Sequence, residues 1–140
     1  MLRALSLAAG LALATAASAA DLRVTDAWIR LLPGGAPSGG YFTVHNDSGI
    51  PVELVGVRSP DFRDVMMHRT EIAGGNARME PVARASVPAH GELRFAPGGY
   101  HLMLMQPSAG VKVGGEVTVV LSFGGGRTLS ARFPVRGPAG

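Results

Sequence analysis

Apolar and polar residues alternate in short runs along most of the chain. The segment 116–123 shows the pattern clearly, because every second residue is strongly apolar and the residues between are Thr, Val and Ser. A period of two residues is typical of a β-strand with one buried face. No sustained period of 3.6 residues follows position 20. The pattern therefore predicts an all-β chain.

Glycine- and proline-rich turn signals separate these runs at short intervals. Many short strands divided by such turns are typical of a sandwich or a barrel. The sequence contains neither an internal repeat nor a second set of elements, so we expect one domain, a β-sandwich over residues 21–135. The predicted strands lie near 22–30, 41–45, 52–58, 65–72, 78–80, 92–95, 101–105, 116–123 and 128–135.

The two ends of the chain differ from this pattern. Arg3 precedes an apolar run rich in Ala and Leu, and small residues follow it at Ala17-Ser18-Ala19-Ala20. This is the pattern of a secretory signal peptide, and the run is too short to span a membrane. We expect residues 1–20 to be removed after Ala19 or Ala20 and the mature protein to be periplasmic. Residues 136–140 are expected to form a loose C-terminal tail.

The composition of the chain excludes several classes of protein. The chain has 140 residues, 13 Lys and Arg, 10 Asp and Glu, and no Cys. Disulfides and a lipid anchor on cysteine are therefore not expected. Basic residues are scattered and aromatic residues make up only 6%, which argues against nucleic-acid binding. No later apolar segment is long enough to predict a membrane span in the mature chain.

Histidine and methionine concentrate on the fourth and seventh predicted strands. His68 lies on the fourth, and a glycine-rich turn folds Met79 back toward it. His101 and Met103 are two residues apart on the seventh, so their side chains share one face of the sheet. The two segments could therefore present ligands at one end of the sheet, on loops and strand tips.

Imidazole and thioether together favour a soft, monovalent ion. Sulfur ligands suit Cu(I), whereas Zn²⁺ prefers thiolate, imidazole or carboxylate. A blue-copper centre and a c-type haem both need Cys, which the chain lacks. Met also fills many cores, so a metal-free structural sandwich stays open. For Met66, Met67 and Met105, core packing and a soft rim around an ion are both possible.

The spacing of these residues resembles a known motif. Ten residues separate His68 from Met79, twenty-one separate Met79 from His101, and one separates His101 from Met103. This is similar to the H-x10-M-x21-H-x-M motif of the periplasmic PCu(A)C copper chaperones. The resemblance extends over about residues 22–135 and includes Ala27-Trp28-Ile29-Arg30, the glycine-rich segment before Tyr41, Met79-Glu80-Pro81-Val82 and Pro97-Gly98-Gly99-Tyr100-His101.

The resemblance implies a cupredoxin-like, Greek-key β-sandwich that binds one Cu(I) through His68, Met79, His101 and Met103. It implies a metallochaperone rather than an enzyme, with the CuA domain of cytochrome c oxidase or another copper-assembly protein as recipient. Copper buffering or tolerance is the alternative role. A copper enzyme is a weaker alternative, because four protein ligands leave no open position for a substrate.

Overall fold

Ten β-strands form the regular structure of residues 21–140, which are the residues that the computed structural model describes. The predicted signal peptide, residues 1–20, lies outside them. No helix lies between these strands. The described residues therefore contain no helix that is long and apolar enough to cross a membrane. The strands are β1 Leu22–Arg30, β2 Ser38–Asn46, β3 Val52–Arg58, β4 Phe62–Ala73, β5 Asn76–Pro81, β6 Ala85–Val87, β7 Gly91–Phe95, β8 Tyr100–Pro107, β9 Glu116–Phe123 and β10 Thr128–Arg136.

The strands are hydrogen-bonded in one continuous order, β5-β4-β8-β7-β2-β1-β10-β9-β3-β6. Strand β1 joins the two halves of this order. It pairs antiparallel with β2 and, at Ile29 and Arg30, parallel with β10. Strand β3 contacts β4 and β6 contacts β7, so the two halves face each other as the layers of a sandwich.

We call the half of the sheet that contains β5, β4, β8, β7 and β2 the first layer. Its core face carries a row of directly paired residues, which begins on β1. Ile29 is opposite Gly40, Gly40 is opposite Leu102, and Leu102 is opposite Met67. Ile29 and Leu102 are completely buried, and Met67 is buried with them. A Cβ atom on Gly40 would lie 3.0 Å from Leu102 Cβ. The absence of a side chain at Gly40 therefore leaves the space that Leu102 fills.

Besides differences at strand ends, such as the start of β4 at Phe62 rather than at residue 65, the structure departs from the predicted strands at three places. Strand β2 begins at Ser38, within the glycine-rich segment that was predicted as a turn. These two strand positions are glycine because a side chain at Gly39 would collide with Tyr41, and one at Gly40 would press against Leu102. The short strand β6 was not predicted. Strand β10 continues to Arg136, which pairs with Arg30 and so belongs to the sheet rather than to the predicted tail.

Candidate metal centre

Two histidines face each other on the outer side of the first layer. His68 on β4 is directly opposite His101 on β8, and their ring centroids are 5.9 Å apart at an interplanar angle of 63°. Two residues further along β8, Met103 is directly opposite Met66. Residues i and i+2 share a face, so both pairs belong to one patch.

The β4–β5 hairpin adds Met79 to this patch. The hairpin turns at Gly74 and Gly75, whose φ angles are 60° and 82°, as a two-residue type I′ turn requires. Met79 is opposite Thr70, which shares a face with His68, so Met79 is a diagonal neighbour of His68. Its side chain is 63% exposed.

The structure thus brings the four predicted residues to one surface. We call His68, Met79, His101 and Met103 the His-Met patch. Its members lie inside strands β4, β5 and β8, on the outer face of the sheet. His68 lies in the middle of β4 rather than at a strand tip, whereas His101 is the second residue of β8 and directly follows a loop. Strand pairing, rather than loop conformation, sets the positions of these side chains.

The His101 ring is held in one tautomer. Its Nδ1 lies 3.0 Å from the carbonyl oxygen of Gly99, which can only accept, so Nδ1 carries the hydrogen and donates it. Nε2 is buried and has no hydrogen-bond partner. A histidine whose other nitrogen donates to a carbonyl is oriented as metal-ligating histidines are. His101 therefore presents a lone pair on Nε2 to the patch.

Both ring nitrogens of His68 are buried without a hydrogen-bond partner. Burial lowers the pKa of His68 below its ordinary value, and the neighbouring His101 lowers it further. Buried polar atoms without partners are uncommon in folded proteins and cost stability. His68 is thus neutral near pH 7 and has the lone pair that a metal ion would need.

The metal-free protein should lose stability as the solution becomes mildly acidic. The unfolded chain takes up a proton at His68 near pH 6.5, whereas folding lowers this pKa. The stabilising contribution is therefore complete above about pH 6.5 and is lost as the pH falls through the folded value. Urea unfolding at a series of pH values measures this. His68→Gln should weaken the pH dependence, and the exposed control His90→Asn should retain it; equal slopes in all three proteins would contradict the prediction.

The three other methionines of the region separate into two groups. Met67 is only 6% exposed and faces the core. Met66 is 42% exposed and lies on the outer face, opposite Met103. Met105 follows Met103 by two residues and shares its face. Met67 is therefore a packing residue, whereas Met66 and Met105 border the His-Met patch.

A group of residues that sequence reasoning missed borders the patch on the β2 side. Gly39 is directly opposite Met103, and a Cβ atom on Gly39 would lie only 2.7 Å from the Tyr41 hydroxyl oxygen. The Tyr41 ring therefore covers Gly39 beside Met103. The Arg30 guanidinium lies 5.6 Å from the centre of that ring. The pair of glycines before Tyr41 was the sequence signal for this group, but the register of their strand cannot be deduced from the sequence.

Comparison with known proteins places the chain in a family. The family model described as "Putative lipoprotein LpqE-like" matches residues 22–135. A protein of Leifsonia xyli subsp. xyli (strain CTCB07), named "Putative lipoprotein Lxx21020", is 30% identical over 116 residues. That alignment covers 82% of this chain and 69% of the relative.

Solved structures with the same fold are PCuAC domains and their relatives. The copper-bound PCuAC domain from PmoF2 is 26% identical, with a TM-score of 0.69 over 84% of this chain and 94% of that one. The solution structure of CuI-DR1885 from Deinococcus radiodurans is 34% identical, with a TM-score of 0.65 over 88% of this chain and 85% of that one. The predicted cupredoxin-like, Greek-key sandwich and the resemblance to the PCu(A)C family are confirmed. The chain belongs to the LpqE-like family, whose model spans nearly all of its β-sandwich.

Proposed function

We propose that this protein is an exported metallochaperone that binds one Cu(I) ion through His68, Met79, His101 and Met103. The observation that carries the proposal is the pair of facing histidines, in which His101 Nε2 and both ring nitrogens of His68 are buried without a partner. A metal ion would give a partner to one nitrogen of each ring. The copper-bound PCuAC domain and CuI-DR1885, both similar in sequence and fold, support copper as that ion.

The side chains of the His-Met patch suit copper in its monovalent state. Two imidazole nitrogens and two thioether sulfurs carry no charge, and thioether is a soft ligand that favours Cu(I). Met79 and Met103 stay neutral at any pH and cannot form disulfides. Such a set can hold Cu(I) in an oxidising compartment, where a pair of thiols would crosslink.

The exposure of the four side chains supports release of the ion to a partner. His101 is 7% exposed, whereas Met79 is 63% exposed on the outermost strand of the order. A ligand from a recipient protein could displace Met79 first while the buried histidines still hold the ion. We infer that exchange begins at Met79. Such an arrangement suits transfer and needs no catalytic group, so the proposed protein is not an enzyme.

The relatives support export, whereas the recipient is proposed from the PCu(A)C resemblance. The family and the Leifsonia protein are both named as lipoproteins, which supports export and is consistent with a periplasmic location. The PCu(A)C resemblance suggests the CuA domain of cytochrome c oxidase as recipient. Copper buffering or tolerance uses the same binding site without that recipient and is the alternative.

Copper transfer between purified proteins tests the proposal. The protein would be loaded with one equivalent of Cu(I) without oxygen and mixed with a metal-free CuA domain in the presence of an excess of a Cu(I) chelator. The chelator captures any ion that leaves by simple dissociation. We expect the copper, measured in each protein after chromatographic separation, to move to the CuA domain.

Two results would contradict the proposal in different ways. If the protein binds one Cu(I) but the ion stays on it or goes to the chelator, delivery to CuA is wrong and buffering is favoured. If the protein retains no Cu(I) at all, the binding site itself is wrong and a metal-free sandwich is favoured.

A further inference from the structure

A row of directly paired residues leads from β1 to the His-Met patch. Arg30 is opposite Gly39, Gly39 is opposite Met103, and Met103 is opposite Met66. Directly paired residues point to the same side of a sheet, so Arg30 shares the outer face with Met103. Two strand spacings separate their backbones, which is about 10 Å. Since Gly39 has no side chain, the Tyr41 ring occupies the space above it, between Arg30 and Met103.

The Arg30 side chain is held beside the patch. Its guanidinium carbon lies 5.2 Å from the centre of the Trp28 ring and 5.6 Å from that of Tyr41. The two rings are themselves 4.7 Å apart. Arg30 also lines a cavity of about 150 Å³ together with Met79, His101 and Met103. The aromatic rings thus fix a cation at the edge of the space where the ion would be bound.

The Arg30 guanidinium forms no close ion pair with the residues that the structure describes. Among residues 21–140, the ion pairs involve other basic residues, and none of them includes Arg30. Its Nε atom is buried and has no hydrogen-bond partner. Arginine stays protonated at any pH that a protein tolerates. The field of a full positive charge therefore acts on the cavity.

We propose that Arg30 helps the patch to select Cu(I) against Cu(II). The inference rests on the proposed copper binding and adds a residue that is not one of the four ligands. Coulomb repulsion is proportional to the charge of the ion, so Arg30 repels Cu(II) twice as strongly as Cu(I). For a charge about 10 Å from the ion and an effective dielectric constant of about 20, Coulomb's law gives roughly a tenfold change in relative affinity.

The same field acts on the reduction of the bound ion. Cu(II) takes up one electron to become Cu(I), and the site that disfavours Cu(II) raises the potential of this couple. A tenfold change in relative affinity corresponds to about 59 mV for a one-electron couple. Arg30 is thus a specificity-determining residue that acts through space, and its removal should lower the potential.

Four variants of the full protein test this. Arg30→Gln removes the charge and keeps a polar side chain, whereas Arg30→Leu removes the charge and keeps apolar contact with the rings. Arg30→Lys keeps the charge. Arg136→Gln is the matched control. The Arg136 guanidinium carbon also lies over the Trp28 ring, 4.8 Å from its centre, but Arg136 does not line the cavity.

The measurements are the Cu(I) and Cu(II) affinities by chelator competition and the potential by mediated redox titration. We expect both neutral variants to bind Cu(II) about tenfold better relative to Cu(I) and to lower the potential by about 59 mV. Arg30→Lys should remain near the wild type, and so should Arg136→Gln, because Arg136 lies one strand further from the patch, on β10, and does not line the cavity.

Unchanged potentials in the neutral variants that fold and bind Cu(I) would overturn the inference. An equal loss of both affinities would overturn it as well, because it would show that Arg30 only supports the Tyr41 ring. If the wild-type protein retained no copper, the proposed function itself would be wrong. Copper retention by the wild type is measured before any variant is made.

Discussion

His101→Ala should weaken Cu(I) binding by about 100-fold or more. Its Nε2 is a buried, unpaired atom, and its orientation is fixed by the hydrogen bond from Nδ1 to Gly99. Loss of a partner that merely orients a ligating histidine already costs about 10- to 100-fold in metal affinity. Removing the proposed ligand should cost at least as much. Competition with a Cu(I) chelator of known affinity, without oxygen, measures the change.

The control for this variant is His90→Asn. His90 is exposed, donates its backbone N–H to Ser48 in the turn after β2, and has a φ angle of 51°, which Asn tolerates better than Ala does. We expect it to bind Cu(I) as the wild type does. If His101→Ala binds as tightly as His90→Asn while both remain folded, His101 is not a ligand, and the site would have to be assigned again.

Leu102→Ala should destabilise the protein by about 2–5 kcal/mol, the usual cost of truncating a buried leucine. Leu102 is completely buried on the core face of β8 and fills the space beside Gly40. The cavity that remains cannot close easily, because Gly40 has no side chain to move into it. Urea unfolding of the metal-free protein measures the free energy of unfolding.

Ile72→Ala is the comparison for the core variant. Ile72 lies on β4 and is 79% exposed, so its truncation should change the free energy of unfolding by less than about 0.5 kcal/mol. A Leu102→Ala protein as stable as Ile72→Ala would mean that the first layer of the sandwich does not pack as described.

The sequence was sufficient for some elements and not for others. Strands β1, β3 and β9 begin and end where the apolar pattern predicts, because each carries side chains typical of a strand between clear turns. The start of β2 was not predictable, because Gly39 and Gly40 suggest a turn when they are read alone. Only their contacts with Tyr41 and Leu102 explain why they are strand residues.

The residues of the candidate site could be predicted from the sequence, but the position of the site in the fold could not. The spacing of histidine and methionine indicated which side chains belong together. Their position on the outer face depends on the pairing of β4 with β8, a long-range register that no local pattern contains. The neighbouring group of Arg30 and Tyr41 depends on two further registers, so its approach to Met103 could not be foreseen.

The alternation of β8 has a consequence for how this site can change in evolution. His101 and Met103 belong to the patch, whereas Leu102 and Leu104 between and beyond them belong to the core. Inserting or deleting one residue here would turn one set to the wrong side of the sheet. Natural variants should therefore differ in length in the turns of the sandwich but not between His101 and Met103, whose one-residue separation is imposed by the pleat of the strand as much as by the metal.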